Sequence, residues 1–335
     1  MDVEAYAART STPGVAGGLD LKGGYNCLDR GWILSVLKHV GFGPRACALF
    51  SAFHVEGRVF PLINGWLGES FAVRRSVRQG CPAAPQLFIL ALEPMLHMLR
   101  LNPGATFAPF PAPSTPGGLC VVGFADDVNL LIGAREGESI PALAAALARV
   151  DEWTDATGGS LGAVKCWFMA VGAPAQRREI RQAIDALNLQ IFRDGAKWLE
   201  EGAAIRLLGL PVGVDVPQEE RERYFAPLLE RIQNAAARWQ RGPKLSRFGR
   251  AYVCNSELMS RVWYAAALDI LPPELMQKLE SLFGAMARHS DLSHSTDARI
   301  GWDVRRSVYE SARAAGGTGL LPFRIQLDAL RARVL

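Results

Sequence analysis

The sequence predicts an α+β chain, with a mixed α and β half to about residue 176 followed by a mainly helical half. Three observations carry that reading. Short apolar runs of strand length, bounded by Gly, Pro, Asn or Asp, recur at 15–22, 58–77, 121–131 and 158–172. Beyond about 176 the strand signals fade, apart from pieces such as IRLLGLPVG, and the apolar spacing becomes helical. Basic residues also gather in the second half: Arg221 to Arg250 holds eight of them against two acids, a net +6 over thirty residues.

In order along the chain, VAGGLDLK (15–22) reads as a short strand ending in Asp20. Asp29 reads as the N-cap of a helix with Ile33, Val36, Leu37 and Val40 on one face, stopped at Gly41. A hairpin is expected from Arg58 to Asn64 and back through Ser70 to Val77 across a Gly-containing turn. RQGCPAAPQLF then enters a buried helix with Phe88, Leu92, Met95 and Leu99 on one side, Leu87 and Ala91 on the other, and a kink at Pro94.

Residues 102–118 read as a Pro/Gly loop leading to a hairpin through GFADDVNLL, followed by a helix over about 139–156. A second hairpin is expected through GGSLGAVKCWFMAVG. In the second half, helices are expected near 217–240, 245–268, 272–288 and 322–334. The composition change divides the chain at 1–176 and 177–335.

Composition excludes several classes. There is no apolar run long enough to cross a bilayer, and MDVEAYAARTSTPG lacks the apolar stretch of a secretory signal. An intracellular protein, nuclear or cytoplasmic, is the expectation. The six cysteines are scattered without a CxxC pair, which argues against a zinc knuckle or a disulfide framework. His289 and His294 read as a polar loop without a role.

The chemistry centres on VVGFADDVNLL, where Asp126 and Asp127 sit between two apolar runs. Like charges at the edge of an apolar core repel each other and lose hydration, a cost that a bound cation offsets. Asp20 also ends an apolar strand, so pairing of the two strands in one sheet would bring it beside Asp126. Carboxylates suit Mg²⁺, which favours one or two of them plus substrate phosphates. Two such ions roughly 4 Å apart clamp the attacking and leaving oxygens of a phosphoryl transfer.

With those residues in view, the chain resembles the reverse transcriptases of non-LTR (LINE-like) retrotransposons. LDLKGGYNCLDRGWIL resembles the first catalytic motif, SVRQGCPAAPQLFILALEPML the G-V-R-Q-G-C-P-L-S-P segment, and GFADDVNLL the F/Y-A-D-D motif. GGSLGAVKCWFMAVG resembles the S-G-L-x-L-N-x-x-K segment, and IRLLGLPVG the primer-grip turn. WQRGPKLSRFGRAYVCNSELMSRVWYAAALDILP and GGTGLLPF resemble stretches of the thumb region. Five motifs in the family's order make the match specific from about Val15 to Phe323.

The resemblance implies a right-hand polymerase palm, an antiparallel sheet with packed helices, followed by a helical thumb. It implies RNA-directed DNA synthesis from a primer 3′-OH and a dNTP, with RNA template and DNA primer as partners and two Mg²⁺ (or Mn²⁺) ions as cofactors. Asp20 and Asp126 would hold the metals and Asp127 would complete the cluster. Tyr25 would gate the sugar, Gln79 and Gly80 would border nucleotide and template, and Lys165 would lie near the leaving pyrophosphate. Leu208 and Gly209 would shape the turn under the primer terminus, and Arg238, Arg241, Lys244 and Arg247 would contact phosphates.

Departures accompany the match. Asn26 stands where the first motif has a second aspartate, Gly24 where it has alanine, Gly162 where asparagine is common, and Ala83-Ala84 where Leu-Ser follows Cys-Pro. Only nineteen residues precede Asp20, so fingers strands are expected to be missing, with the endonuclease segment and a terminal zinc knuckle. The rival reading is therefore an inactive, truncated remnant that still binds nucleic acid. A palm-type nucleotide cyclase would leave RQGCP and the basic half unexplained.

Overall fold

The computed structural model describes residues 13–54, 58–73, 75–77, 80–101, 108–112, 115–119, 121–133, 139–187, 189–242, 244–267, 271–288, 310, 312 and 318–334. The chain divides into two compact units, Met1–Glu200 and Glu201–Leu335.

The first unit opens with β1 (Gly14–Asp20), a strand buried along nearly its whole length. One helical turn, α1 (Gly24–Cys27), leads to α2 (Arg30–His39). Asp29 caps α2 as its position predicts, its carboxylate accepting the Trp32 N–H at 3.0 Å. α2 buries Ile33, Val36 and Leu37 and stops before Gly41 at φ 92°. A further helix, α3 (Pro44–His54), is an addition to the expected elements.

The expected hairpin is two nested ladders. β2 (Arg58–Val59) is antiparallel to β5 (Phe71–Ala72), and inside them β3 (Leu62–Ile63) pairs β4 (Trp66–Leu67). Asn64 and Gly65 both take positive φ (51° and 86°), the two-residue turn that matches the twist of a hairpin. α4 (Ala84–Leu101) follows, unbroken through Pro94, and buries Phe88, Leu92, Met95 and Leu99 together with Leu87 and Ala91.

Part of the stretch read as a Pro/Gly loop is strand instead. β6 (Ala108–Ala112) and β7 (Thr115–Leu119) form a hairpin ahead of β8 (Val121–Phe124) and β9 (Asp127–Gly133). Proline and glycine weaken the local strand signal, yet pairing with one end of β9 (Ala108 with Gly133, Pro109 with Ile132) recruits this segment. Residues 102–107 of that loop, and His289 and His294, lie outside the described residues.

After α5 (Ser139–Thr157) the expected second hairpin is also different. Leu161 bridges Leu21, Ala163–Lys165 makes a short 3₁₀ turn, and β10 (Trp167–Val171) pairs β1 rather than its own upstream segment. α6 (Pro174–Leu187) packs back on β10, α7 (Gln190–Arg193) follows, and β11 (Lys197–Trp198) adds to β10 in parallel. The composition change near 176 therefore falls inside the first unit, because α6 packs on β10 and β11 adds a strand to its sheet.

That sheet has the order β11-β10-β1-β9-β6-β7, with β8 paired to the other end of β9. Only the β10–β11 pair is parallel among the pairings of this sheet. Val15 and Leu19 of β1, Val128, Leu130 and Ile132 of β9, and Phe168 and Ala170 of β10 belong to one core with α2, α4 and α5. The Trp32 and Trp153 indoles both donate to the Ala91 carbonyl, at 3.0 and 3.2 Å, which ties those three helices together.

The second unit starts with the hairpin β12 (Ile205–Leu207) and β13 (Leu210–Val212), followed by α8 (Gln218–Arg241) and α9 (Arg247–Val253). The helix expected over 245–268 is broken: Cys254–Leu258 is a π turn and Met259–Arg261 a 3₁₀ turn before α10 (Trp263–Ala267). Asn255 explains the irregularity, since its side chain donates to the Gly319 carbonyl and accepts the Leu321 N–H. α11 (Pro273–Arg288) and α12 (Phe323–Val334) match their expected spans. Leu279, Leu282, Phe283 and Phe323 lie in this unit's own core. Among the described residues no helix is long and apolar enough to cross a membrane.

Candidate active site

Side-chain alternation decides where the acids point. On β1 and β9 the large apolar residues Val15, Leu19, Val128, Leu130 and Ile132 alternate with residues of the opposite face. Register pairs Leu19 with Val128 and Asp20 with Asp127, so Asp20 and Asp127 stand opposite each other on the face away from that core. Asp126 lies between β8 and β9 in a two-residue turn, where Ala125 takes φ 55°. Left-handed backbone is costly for a residue with a Cβ, and such strain recurs at functional sites. The pairing expected from the sequence was Asp20 beside Asp126; the ladder puts Asp127 opposite Asp20 and leaves Asp126 one residue away. A Cβ added to Gly24 would come within 3.6 Å of the Asp126 Cβ, which places the start of α1 against the turn.

The electrostatics follow from this convergence. The Asp127 carboxyl is pushed above the usual carboxylate range, first by burial, then by the negative charges of Asp126 and Asp20. Lys165 Nζ lies 3.4 Å from Asp20 Oδ1, with the lysine side chain 74% exposed. An ion pair so open to solvent is weak. The segment after α5 wraps the end of β1: the Lys22 N–H donates to Ser160, the Gly162 N–H to the Asp20 carbonyl at 2.8 Å, and the Asp20 N–H to Cys166 Sγ at 3.3 Å. Burial pushes the Cys166 thiol up, so it stays a neutral anchor.

These contacts account for one departure from the family pattern. A Cβ at position 162 would fall 2.4 Å from Asp20 Oδ2, so the Asp20 carboxylate already occupies the space of a side chain there. Gly18 plays a similar part, since a Cβ there would meet the Trp167 indole nitrogen at 2.2 Å. Cys166 and Trp167 are site neighbours that sequence reading missed. Their common signal is the CWF stretch directly after Lys165.

Among the described residues no three His, Cys, Asp or Glu side chains form a metal-holding group by themselves. The donor set still fits an open site of one or two carboxylates that substrate phosphates complete, as Mg²⁺ prefers. The mutual repulsion at Asp127 supplies the demand for positive charge.

The other candidate residues are more dispersed. Tyr25 lies on α1 directly after Gly24. Gln79 lies outside the described residues, and Gly80 is exposed at φ 86°, where only glycine sits without strain. Leu208 and Gly209 form the turn of the β12–β13 hairpin, both at positive φ (47° and 85°). Leu208 is 40% exposed there, in left-handed backbone that strains a residue with a Cβ. Leu208→Asn is therefore expected to stabilise the second unit by up to about 1 kcal/mol, read as a small rise in Tm. An unchanged or lower Tm would show that the leucine contributes more than the turn strain costs.

Arg238, Arg241, Lys244 and Arg247 are all exposed, from the end of α8 to the start of α9. Arg250, from the same basic run, is committed otherwise. Its guanidinium donates to the carbonyls of Leu245, Ala287 and Arg288, fastening α9 to the end of α11.

A mostly antiparallel sheet with Asp20 and Asp127 facing each other at strand ends and Asp126 in the adjoining turn defines a mixed α/β protein with an open, acidic candidate centre. The chain belongs to the reverse transcriptase (RNA-dependent DNA polymerase) family, whose sequence profile matches residues 4–212. It is 28% identical over 271 residues to the transposon TX1 uncharacterized 149 kDa protein of Xenopus laevis, which covers 78% of this chain and 18% of that protein. It is 23% identical over 323 residues to the retrovirus-related Pol polyprotein from type-2 retrotransposable element R2DM of Drosophila melanogaster, covering 95% of this chain and 27% of the polyprotein. The chain thus spans about a fifth to a quarter of the length of these curated relatives. Both come from transposable elements, in keeping with the resemblance read from the motifs.

Proposed function

We propose that this chain performs RNA-templated DNA synthesis at the Asp20–Asp126–Asp127 cluster, with the first unit as polymerase palm and the second as thumb. The observation that carries the proposal is the convergence of the three aspartates in a chain of this family, with Asp20 opposite Asp127 and Asp126 in the adjoining turn. Two Mg²⁺ or Mn²⁺ ions, when bound, activate the primer 3′-OH and neutralise the charge on the triphosphate.

The chain's own residues do the rest. Asp20 and Asp126 hold the metal edge of the site, and Asp127 adds the negative charge that draws cations to it. Buried Cys166 and the Gly162 N–H fix the backbone on both sides of Asp20, so its carboxylate is presented without rearrangement. Lys165, next to Asp20, supplies positive charge toward the leaving pyrophosphate. Tyr25 gates the nucleotide sugar, Gln79 and Gly80 border nucleotide and template, and the Leu208–Gly209 turn supports the primer terminus. Arg238, Arg241, Lys244 and Arg247 bind the phosphates of the primer–template. Little covalent chemistry falls to the protein, so positioning and charge supply most of the rate.

The test is single-nucleotide extension of a DNA primer on an RNA template by the 335-residue chain with Mg²⁺. Addition of the dNTP dictated by the template supports the reading. Duplex binding with no incorporation, even at long times, would overturn it in favour of the inactive nucleic-acid-binding remnant.

A further inference from the structure

The backbone at position 162 does not require glycine. Gly162 lies at φ −85° and ψ 68°, the inverse γ-turn geometry, which residues with a Cβ also adopt. What excludes a side chain there is Asp20. A Cβ added at 162 would lie 2.4 Å from Oδ2 and 3.4 Å from Cγ of that carboxylate. The next atom, the Asp20 carbonyl oxygen at 3.6 Å, is an ordinary contact. The conflict is therefore with the carboxylate and not with the chain.

A carboxylate turns about its last torsion with little restraint, so its direction is set by what borders it. Oδ1 faces Lys165 Nζ at 3.4 Å, but that lysine is mostly in solvent and holds little. Oδ2 lies over Gly162. The main chain on both sides is tied down. The Gly162 N–H donates to the Asp20 carbonyl, the Asp20 N–H donates to Cys166 Sγ, and Leu21 bridges Leu161. With both backbones held, a side chain at 162 displaces the end of Asp20 rather than the segment.

We propose that Gly162 is a positioning residue: the space it leaves sets the direction in which Asp20 presents its carboxylate to divalent cations. The proposal rests on the metal-binding part of the function above and adds a residue that governs its affinity. Altering a group that orients a metal ligand typically costs about ten- to a hundredfold in affinity.

The experiment titrates Mg²⁺ and Mn²⁺ against the melting temperature of the full chain, without nucleic acid or dNTP. It compares the wild type with Gly162→Ala, Asp20→Ala and the double variant. Gly162→Ala is expected to need roughly tenfold more cation, or greater, for the same rise in Tm. Without metal it should melt close to the wild type, because only the end of a side chain moves. An affinity equal to or tighter than that of the wild type would overturn the proposal. If Gly162→Ala is itself destabilised or fails to fold, the double variant decides. Recovery when Asp20 is also alanine supports the proposal, since no carboxylate remains to collide. A defect that persists there would show that the glycine serves the fold, and would overturn it. A wild type whose Tm ignores both cations would instead remove the metal site itself, and this proposal with it.

Discussion

Asp126→Asn is expected to abolish both divalent-cation stabilisation and nucleotide incorporation while leaving the fold in place. The residue sits in an exposed turn rather than in the core, and asparagine keeps its size. Removing its charge also relieves the repulsion that raises the Asp127 carboxyl, so the metal-free variant should melt no lower than the wild type. The wild type, by contrast, gains about 2.7 kcal/mol when Mg²⁺ or Mn²⁺ is present at a hundred times its dissociation constant, because only the folded chain sets Asp20 opposite Asp127 with Asp126 in the adjoining turn. That gain corresponds to a Tm rise of several degrees. Asp20→Asn should behave in the same way. Loss of charge stabilisation worth several kcal/mol should lower incorporation by roughly a thousandfold or more. An equal Tm rise in wild type and variant would place the ions elsewhere.

The simultaneous change of Arg238, Arg241, Lys244 and Arg247 to alanine is expected to weaken primer–template binding steeply at low salt. Each phosphate contact contributes close to one counterion, so the slope of log affinity against log salt should fall by about 3 to 4. These four side chains are exposed, so their removal acts on the surface rather than on the core. Arg250→Ala provides the contrast. It strips donors from the Leu245, Ala287 and Arg288 carbonyls and should cost stability, on the order of 1–3 kcal/mol, with little change in the salt slope. Asp126→Asn should leave duplex binding intact, since it touches no phosphate-binding residue. An unchanged slope in the fourfold variant would show that the duplex is held by other groups.

Much of this was legible in the chain itself. Asp29 capping, the Asn64-Gly65 turn and the buried face of α4 are local matters, decided by residues within one or two turns of each other. So were the acids at strand ends, because apolar runs broken by carboxylates have few other places to go. The motif order from LDLK to IRLLGLPVG pointed to the family that the sequence profile then matched over residues 4–212.

Other features needed partners distant in sequence. Which aspartate faces Asp20 depends on the register of β1 on β9, and that register is set by burying Leu19 and Val128 together; a slip of one residue would put the acids into the core. The Pro/Gly pieces 108–112 and 115–119 became strand because β9 offered an edge to the first and the first an edge to the second. Gly162 could be seen as a departure in the sequence, but not that the Asp20 carboxylate, 142 positions earlier, fills its missing side chain. In the sequence Arg250 is only one more member of the basic run, and its three carbonyl partners, two of them at the end of α11, give it a structural task. Periodicity and capping act through neighbours along the chain, so the amino-acid sequence alone determines the elements and the acids they end in. Register, edge pairing and the partner of a cation are pairwise properties of segments far apart, and only burial of a shared core selects among them.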